Sequence, residues 1–233
     1  MTATNLMTAS NELKNRPADQ HFASFGDMLN AARTDRKNST TANVNSTELD
    51  VVLNNGALCI HRRGAAMTSA YPMNYGGARA IARLAGASPE FVFGRLSKET
   101  AALALSEGLA RGEEQSVQLL VGTVTDSTLR TSAPQLRAVT SQSYCRVWDA
   151  DVLHEVNEWV MPLGFKPALP TLNTDSQRNN IMGNNKPCLF RGGDSSFAFL
   201  MTDKTVDLGD GSSPLRRGLM FRNSETGKAS PAP

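Results

Sequence analysis

Arginine and aromatic side chains share one stretch of the chain, LRTSAPQLRAVTSQSYCRVW. It contains Arg130, Arg137 and Arg146, with Tyr144 and Trp148 among them. Proteins that bind single-stranded nucleic acid combine cations that follow the backbone with aromatic rings on which the bases stack. The stretch therefore favours a contact with single-stranded DNA. The other interpretation is that the two rings belong to a core and the arginines to a solvated face.

A second stretch, LRRGLMFRNSETGK, repeats this composition. Arg216, Arg217 and Arg222 surround Phe221, and Glu225 is the one acidic residue of the stretch. The whole chain carries a formal net charge of only +2, so the positive charge is local. If these arginines neutralise phosphates, affinity for DNA falls as salt rises, because binding releases counterions.

Enzymatic interpretations rest on weaker patterns. Cys145 and His154 could act as nucleophile and base, with Asp149 or Asp151 orienting the imidazole. No nucleophile elbow surrounds either residue, so a small sheet-flanking cysteine and an exposed histidine explain them as well. A hydrolase or nuclease could use Asp149, Asp151 or Asp194 with a divalent metal. We expect a protein that is not an enzyme.

Metal and cofactor signals are also weak. Cys59 and His61 form a single close pair, whereas a structural zinc needs four ligands, usually as two close pairs. The glycine-rich segments YGGARA, RGGDSS and LGDGSS lack the spacing of a phosphate-binding loop and its following lysine. They are typical of plain turns. We therefore expect neither a metal nor a cofactor.

The composition is that of an ordinary globular protein. The 233 residues are 40% hydrophobic and 20% charged, which supports a real core. Three widely spaced cysteines argue for reduced thiols and against a disulfide framework. No apolar run has the length of a membrane span, and the first residues lack the pattern of a secretory signal. We expect a cytoplasmic protein without a membrane contact.

Hydrophobic periodicity predicts an order of strands, helices, strands, one helix and strands. Residues 1–48 are polar, and we expect them to be flexible apart from a short amphipathic helix at 21–34. Two strands flank the turn at Asn54-Asn55-Gly56, and three helical stretches follow within residues 74–112. Residues 166–187 read as a polar loop.

A further helix begins near residue 149 and ends at Gly164, with Asp149 or Asp151 as its cap. Val152, Val156, Trp159 and Val160 are predicted to form one face of this helix. The predicted fold class is α+β, with a mainly antiparallel sheet, a group of helices on one side and a flexible N-terminal segment. We expect one domain over residues 49–230.

Three stretches resemble the phage/plasmid-like family, an uncharacterised domain common on mobile elements. LRAVTSQSYCRVWDADVL is similar to the family's signature, in which Arg-Ala is followed by Ser, Tyr, an aromatic residue and an acidic or amide residue. The matching positions are Arg137, Ala138, Ser141, Tyr144, Arg146, Trp148 and Asp149. DSSFAFLMTD and RRGLMFRNSETGKAS are similar to later segments of the family in the same order.

Upstream, GGARAIARLAGASPEFVFGRL is similar to a helix pair of the family. In all, the resemblance covers roughly residues 56–230. Phenylalanine follows Pro89 at Phe91 and Phe93, where the family has a tyrosine. Family members generally continue past the Asn-Ser-Glu segment, so we expect this chain to be a short or truncated form.

The resemblance implies an accessory protein of a phage or plasmid. Annealing proteins share this α+β order of elements, and by that analogy we expect the protein to bind single-stranded DNA, with a role in annealing or recombination. Annealing proteins work as rings or filaments, so a homo-oligomer is expected. The alternative is a protein-interaction, assembly or inhibitor module that recognises a phage or host protein without binding DNA. Such a module would expose an apolar patch, and Trp159, Met161 and Phe165 are the candidates.

Overall fold

The structure is a computed structural model, and it describes residues 20–123, 134–168, 187–193, 195–207, 209 and 215–226. Contacts within the chain divide it into two compact units. We call residues 1–34 and 147–225 the terminal unit, and residues 35–146 and 226–233 the middle unit. The single domain expected over residues 49–230 stays a prediction.

The middle unit contains six of the described strands and three of the described helices. They are β1 (Ser39–Asn45), β2 (Leu49–Asn54), β3 (Ala57–Arg62), β4 (Tyr71–Pro72), α2 (Tyr75–Leu84), α3 (Pro89–Arg95), α4 (Lys98–Arg111), β5 (Ser116–Gly122) and β6 (Gln135–Ser141). The strands form two antiparallel sheets, with the orders β1-β5-β6 and β2-β3-β4. Ile81, Leu105 and Leu136 lie in the core on which the helices pack.

The terminal unit contains most of helix α1 and one antiparallel sheet. Its described elements are α1 (Phe25–Lys37), α5 (Asp149–Glu155), β7 (Phe165–Pro167), β8 (Leu189–Arg191), β9 (Ser196–Val206) and β10 (Leu215–Asn223). The long strand β9 pairs with β10, β7 and β8. Met28, Leu153 and Leu200 meet in the core of this unit. The α+β fold class and its antiparallel pairing are confirmed.

Turn and cap residues act as the sequence predicts. The β2–β3 hairpin turns at Asn55 and Gly56, whose φ angles are 49° and 75°. This left-handed backbone is accessible to asparagine and glycine at low cost. The hydroxyl of Ser88 accepts a hydrogen bond from the Phe91 backbone N–H at the start of α3, where Pro89 is the first helical residue.

The helix that begins at α5 does not continue regularly to Gly164. A π-helical turn occupies Val156–Val160, and a short 3₁₀ turn, Met161–Leu163, follows it. A π turn holds an extra residue, so the side chains within it leave the register of a regular α-helix. Val156 and Val160 pack on the core, but Trp159 is 71% exposed. The prediction that Trp159 shares the buried face is wrong for this reason.

Strand β1 lies in the segment for which the sequence predicts flexibility. Its residues pair in antiparallel register with β5, from Ser39 opposite Gly122 to Asn45 opposite Ser116. Most of its side chains are exposed or half-buried, so it adds little core material. The partner strand stabilises β1 through backbone hydrogen bonds, which do not depend on side-chain type. The helix predicted at 21–34 corresponds to α1, Phe25–Lys37.

The polar loop predicted at 166–187 lies largely outside the described residues. Within the part of the chain that the structure describes, no helix has the length and apolar character needed to cross a membrane.

Candidate nucleic-acid interface

A cavity of about 680 Å³ opens between helix α2 and strand β6 of the middle unit. Three of the side chains that line it are arginines, and two are tyrosines. The lining residues are Tyr75, Gly76, Arg79, Ala80, Arg83, Arg137, Ala138, Val139, Thr140, Ser141, Tyr144 and Thr226. We call this feature the arginine cavity. Among the described residues that line it, none is acidic.

Helix α2 contributes Tyr75, Arg79 and Arg83, which are spaced by four residues. This spacing places all three on one face of a helix, one turn apart. Arg83 is exposed, and its charge contributes to the lowered pKa of Glu90. The face therefore presents two guanidinium groups and one phenol to the cavity.

Close packing of α2 on β6 fixes the position of this face. The Asn74 side chain caps α2 by accepting from the Gly77 N–H at 2.7 Å, while its backbone N–H donates to the Leu136 carbonyl at 3.1 Å. A Cβ atom at Gly77 would lie 2.6 Å from that same carbonyl oxygen. The glycine therefore lets the start of α2 approach the strand.

Arg79 is held by two neighbours. It donates to the Tyr75 hydroxyl at 2.7 Å and to the Glu90 carboxylate at 2.6 Å, and its guanidinium lies 5.4 Å from the centre of the Tyr75 ring. The pKa of Arg79 is raised, first by the bond to Tyr75 and then by Glu90. The pKa of Glu90 is lowered, first by its own backbone N–H and also by the charge of Arg79. Both groups therefore stay charged at neutral pH.

Strand β6 contributes the buried member of the set. Arg137 is 1% exposed, and its Nη1 donates to the Ser39 hydroxyl of β1 at 3.3 Å. A guanidinium is not deprotonated in proteins, so the buried Arg137 side chain keeps its positive charge. Arg137 thus places a fixed positive charge in the wall of the cavity.

The turn after β6 brings Tyr144 and Arg146 back over the strand. The Tyr144 N–H donates to the Ser141 carbonyl at 3.1 Å. Arg146 donates to Gln118 at 3.2 Å, and its guanidinium lies 5.5 Å from the centre of the Tyr144 ring. The sequence predicts Arg137, Tyr144 and Arg146 to act together, and the structure places all three in the middle unit at or beside the arginine cavity.

The other predicted site residues lie elsewhere. Trp148, Arg216, Arg217 and Arg222 belong to the terminal unit, where the three arginines are exposed along β10. Trp148 is half-buried and occupies the N-cap position of α5. Arg130 lies outside the described residues.

Asp149 is a buried structural anion. Its carboxylate accepts from Arg191 Nε at 3.0 Å, from the Ser196 hydroxyl at 2.7 Å and from Asn223 Nδ2 at 2.8 Å. Its own backbone N–H donates to Glu225 at 2.9 Å. These bonds join α5 to β8, β9 and the end of β10.

Each of the three stretches that carry the family resemblance contributes to this buried cluster. Asp149 comes from the first, Ser196 from the second, and Asn223 and Glu225 from the third. The prediction that Asp149 or Asp151 caps α5 is wrong, because Trp148 holds the N-cap position and the carboxylate of Asp149 is occupied in this cluster.

The residues of the enzymatic interpretations lie in different units or already have other partners. Cys145 is exposed in the middle unit, whereas His154 belongs to the terminal unit, where its Nδ1 lies 3.3 Å from Arg33 Nη2. Asp151 is exposed at the start of α5, and Asp194 lies outside the described residues. Cys59 is buried, and His61 Nε2 is 3.5 Å from Asp50. Among the described residues, no three His, Cys, Asp or Glu side chains are placed to hold a metal ion.

Tyr75, Arg79 and Arg83 were not among the site residues that the sequence predicted. The segment YGGARAIARL does contain the signal, because its tyrosine and two arginines recur every four residues. The apolar face of the same helix, with Ile81 at 0% exposure, is the stronger pattern and indicates only a packed helix.

Comparison of the chain with protein-family models, with curated proteins and with solved structures finds no significant match. The resemblance to the phage/plasmid-like family therefore stays a prediction from the sequence.

Proposed function

We propose that the protein binds single-stranded DNA at the arginine cavity, and that it does so as a non-enzymatic accessory protein of a phage or plasmid. The observation that carries the proposal is the convergence of Arg79, Arg83 and Arg137 with Tyr75 and Tyr144 on one cavity. Cations beside aromatic rings are the pair of features on which single-strand binders depend.

The charge of the cavity supports an anionic ligand. Arg137 supplies a positive charge that is buried, and Arg83 supplies one that is exposed at the opening. Arg79 is partly neutralised by Glu90. Guanidinium groups beside hydroxyl groups suit phosphate oxygens, which accept several hydrogen bonds at once. We expect Arg216, Arg217 and Arg222 to make a second, independent set of phosphate contacts.

The proposal can be tested by fluorescence anisotropy of a labelled oligodeoxythymidine, titrated over a salt series beside a duplex of equal length. For single strands, each neutralised phosphate contributes about 0.7 to the slope of log affinity against log salt. We expect Arg83→Ala to lower that slope by about 0.7 and to weaken binding at low salt.

Arg95→Ala is the matched control, because Arg95 is exposed on the adjacent helix α3 and does not line the cavity. We expect it to leave the slope unchanged. Binding that is flat between about 50 and 300 mM salt, or an equal effect of both substitutions, would overturn the proposal.

A second candidate function, protein–protein interaction, rests on the exposed apolar side chains after α5. Trp159 is 71% exposed and Leu163 is 64% exposed, whereas Met161 and Phe165 pack partly on the core. If Trp159 contacts a second copy of the chain, Trp159→Ser lowers the mass measured by sedimentation equilibrium. If the wild-type protein is an oligomer and the Trp159→Ser variant has the same mass, the interface between copies lies elsewhere.

A further inference from the structure

The arginine cavity combines charged and apolar walls. Ala80, Ala138 and Val139 supply aliphatic surface, and the rings of Tyr75 and Tyr144 supply aromatic surface. A site that bound only phosphate would need the cations and hydroxyls but not these walls. A nucleotide has both an anionic part and a flat apolar part, so it matches both kinds of surface.

We propose that the arginine cavity takes one unstacked nucleotide of a bound single strand, with its base against a tyrosine ring and its phosphate at the arginines. This inference rests on the proposed function and adds what enters the cavity. It predicts that the protein recognises the base as well as the backbone, without a preference for sequence, because every base has a flat face.

The two tyrosines are arranged as platforms for a base. Tyr75 is 68% exposed, and its ring orientation is held by the bond between its hydroxyl and Arg79 at 2.7 Å. Tyr144 is half-buried and lines the cavity, with the Arg146 guanidinium 5.5 Å from its ring centre. A cation–π contact of this kind attracts the guanidinium to the ring and helps to fix the position of the ring.

The volume of the cavity favours a single unit of the polymer. Cavities of about 300–1,000 Å³ are the usual size of sites for one small molecule, and this cavity has a volume of about 680 Å³. A paired base cannot enter without leaving its duplex, because its partner and its stacking neighbours hold it in the helix. The cavity would therefore select single strands over duplex DNA by shape.

The test compares two labelled oligonucleotides of equal length and equal charge, oligodeoxythymidine and an abasic strand made of tetrahydrofuran spacers. Anisotropy titrations of both at low salt separate the contribution of the bases from that of the phosphates. We expect the wild-type protein to bind oligodeoxythymidine about tenfold more tightly than the abasic strand.

Tyr75→Leu and Tyr144→Leu should each reduce this preference, while affinity for the abasic strand stays the same. Tyr75→Phe keeps the ring but loses the hydroxyl bond that orients it, so it should keep part of the preference. Phe91→Leu is the matched control, because Phe91 is 58% exposed on α3 and lies outside the cavity. Circular dichroism of each variant confirms that it is folded.

Equal affinity of the wild-type protein for both strands would overturn the single-nucleotide inference and leave the proposed function standing. Failure to bind either strand at low salt would overturn the proposed function itself. A preference for oligodeoxythymidine that survives both leucine substitutions would place the base contact outside the arginine cavity and would also overturn the inference.

Discussion

Arg191 donates from its Nε to the carboxylate of Asp149 over 3.0 Å, and both side chains are more than nine-tenths buried. Glu225 lies 3.8 Å from the same guanidinium, so two carboxylates share one cation inside the terminal unit. Buried ions of this kind stabilise a fold only while every member keeps its partners, because each has been removed from water. This buried cluster links α5 to the strands of the terminal unit.

Asp149→Asn is expected to destabilise the protein by about 3 kcal/mol, because it leaves Arg191 buried with a weakened partner. The free energy of unfolding from urea titration measures this. Asp203→Asn is the control, since Asp203 pairs with Lys166 at 2.6 Å but both side chains are exposed. We expect it to have a much smaller effect, because solvent screens exposed pairs. If both substitutions lower the free energy of unfolding by a similar amount, the buried cluster is no more important for stability than an exposed ion pair.

Gly77→Ala is expected to destabilise the protein by about 1–3 kcal/mol, because its Cβ would lie 2.6 Å from the Leu136 carbonyl oxygen. Gly94→Ala on helix α3 meets no atom within 4 Å and should instead stabilise by about 0.5–1 kcal/mol. Thermal or urea unfolding of the two variants distinguishes them. Equal stabilisation by both alanines would mean that α2 does not approach β6 this closely.

The titration of Glu90 reports on the contact with Arg79. The pKa of Glu90 is lowered from 4.5, first by its own backbone N–H and then in part by the charge of Arg79. Its ionised form therefore adds stability above that ordinary value, and the contribution is lost as pH falls through the lower pKa of the folded state.

We expect Arg79→Gln to raise the pKa of Glu90 only part of the way, because the backbone donor remains. Carbon-detected NMR of the Glu Cδ resonances measures the change. Glu99 is the internal control, since its pKa is lowered by its own backbone N–H and by Ser97 without Arg79. A shift of Glu99 that equals the shift of Glu90 would point to a global change of structure.

Glu90→Gln is expected to strengthen binding of single-stranded DNA by about two- to fivefold, because it releases the charge of Arg79 for phosphate. Glu107→Gln is matched to it, since Glu107 pairs with Arg111 at 2.7 Å on an exposed face of α4 outside the cavity. Anisotropy at fixed low salt compares the two variants. If both variants gain the same affinity for single-stranded DNA, the cause is the change in net charge and not the release of Arg79.

The three thiols are expected to differ in reactivity. Cys145 is exposed, whereas burial raises the pKa of the Cys59 and Cys188 thiols and so lowers their thiolate fraction. A chromogenic disulfide reagent should therefore titrate one thiol rapidly in the folded protein and all three in denaturant. Rapid reaction of two or three thiols without denaturant would show that a buried cysteine is accessible.

Local signals in the sequence were sufficient to predict some of the helices and strands. Gly56 specifies its hairpin because glycine tolerates positive φ, and Ser88 with Pro89 specifies the start of α3 because each satisfies the geometry of a first helical turn. Strand β1 escaped prediction, because its stability comes from pairing with β5, which is distant in the chain.

The sequence also predicts only part of the candidate site. The composition of the 130–148 stretch leads to the prediction that Arg137, Tyr144 and Arg146 are site residues. It does not show that Arg137 is buried in a cavity wall or that helix α2 supplies the facing arginines. Composition also does not distinguish an arginine that binds phosphate from one that pairs with a carboxylate inside the protein. Arg191 is of the second kind, because it pairs with the buried Asp149.

By itself, then, the sequence determined the α+β class, the β2–β3 hairpin and the cap of α3, because the hairpin and the cap depend on neighbouring residues. The tertiary fold decided which charges are buried together and which face a cavity. Those relationships depend on contacts between distant residues, such as Arg191 with Asp149, 42 positions apart, and Asn223 with Asp149, 74 positions apart. No local pattern encodes such contacts, because the free energy that forms them comes from packing the whole unit.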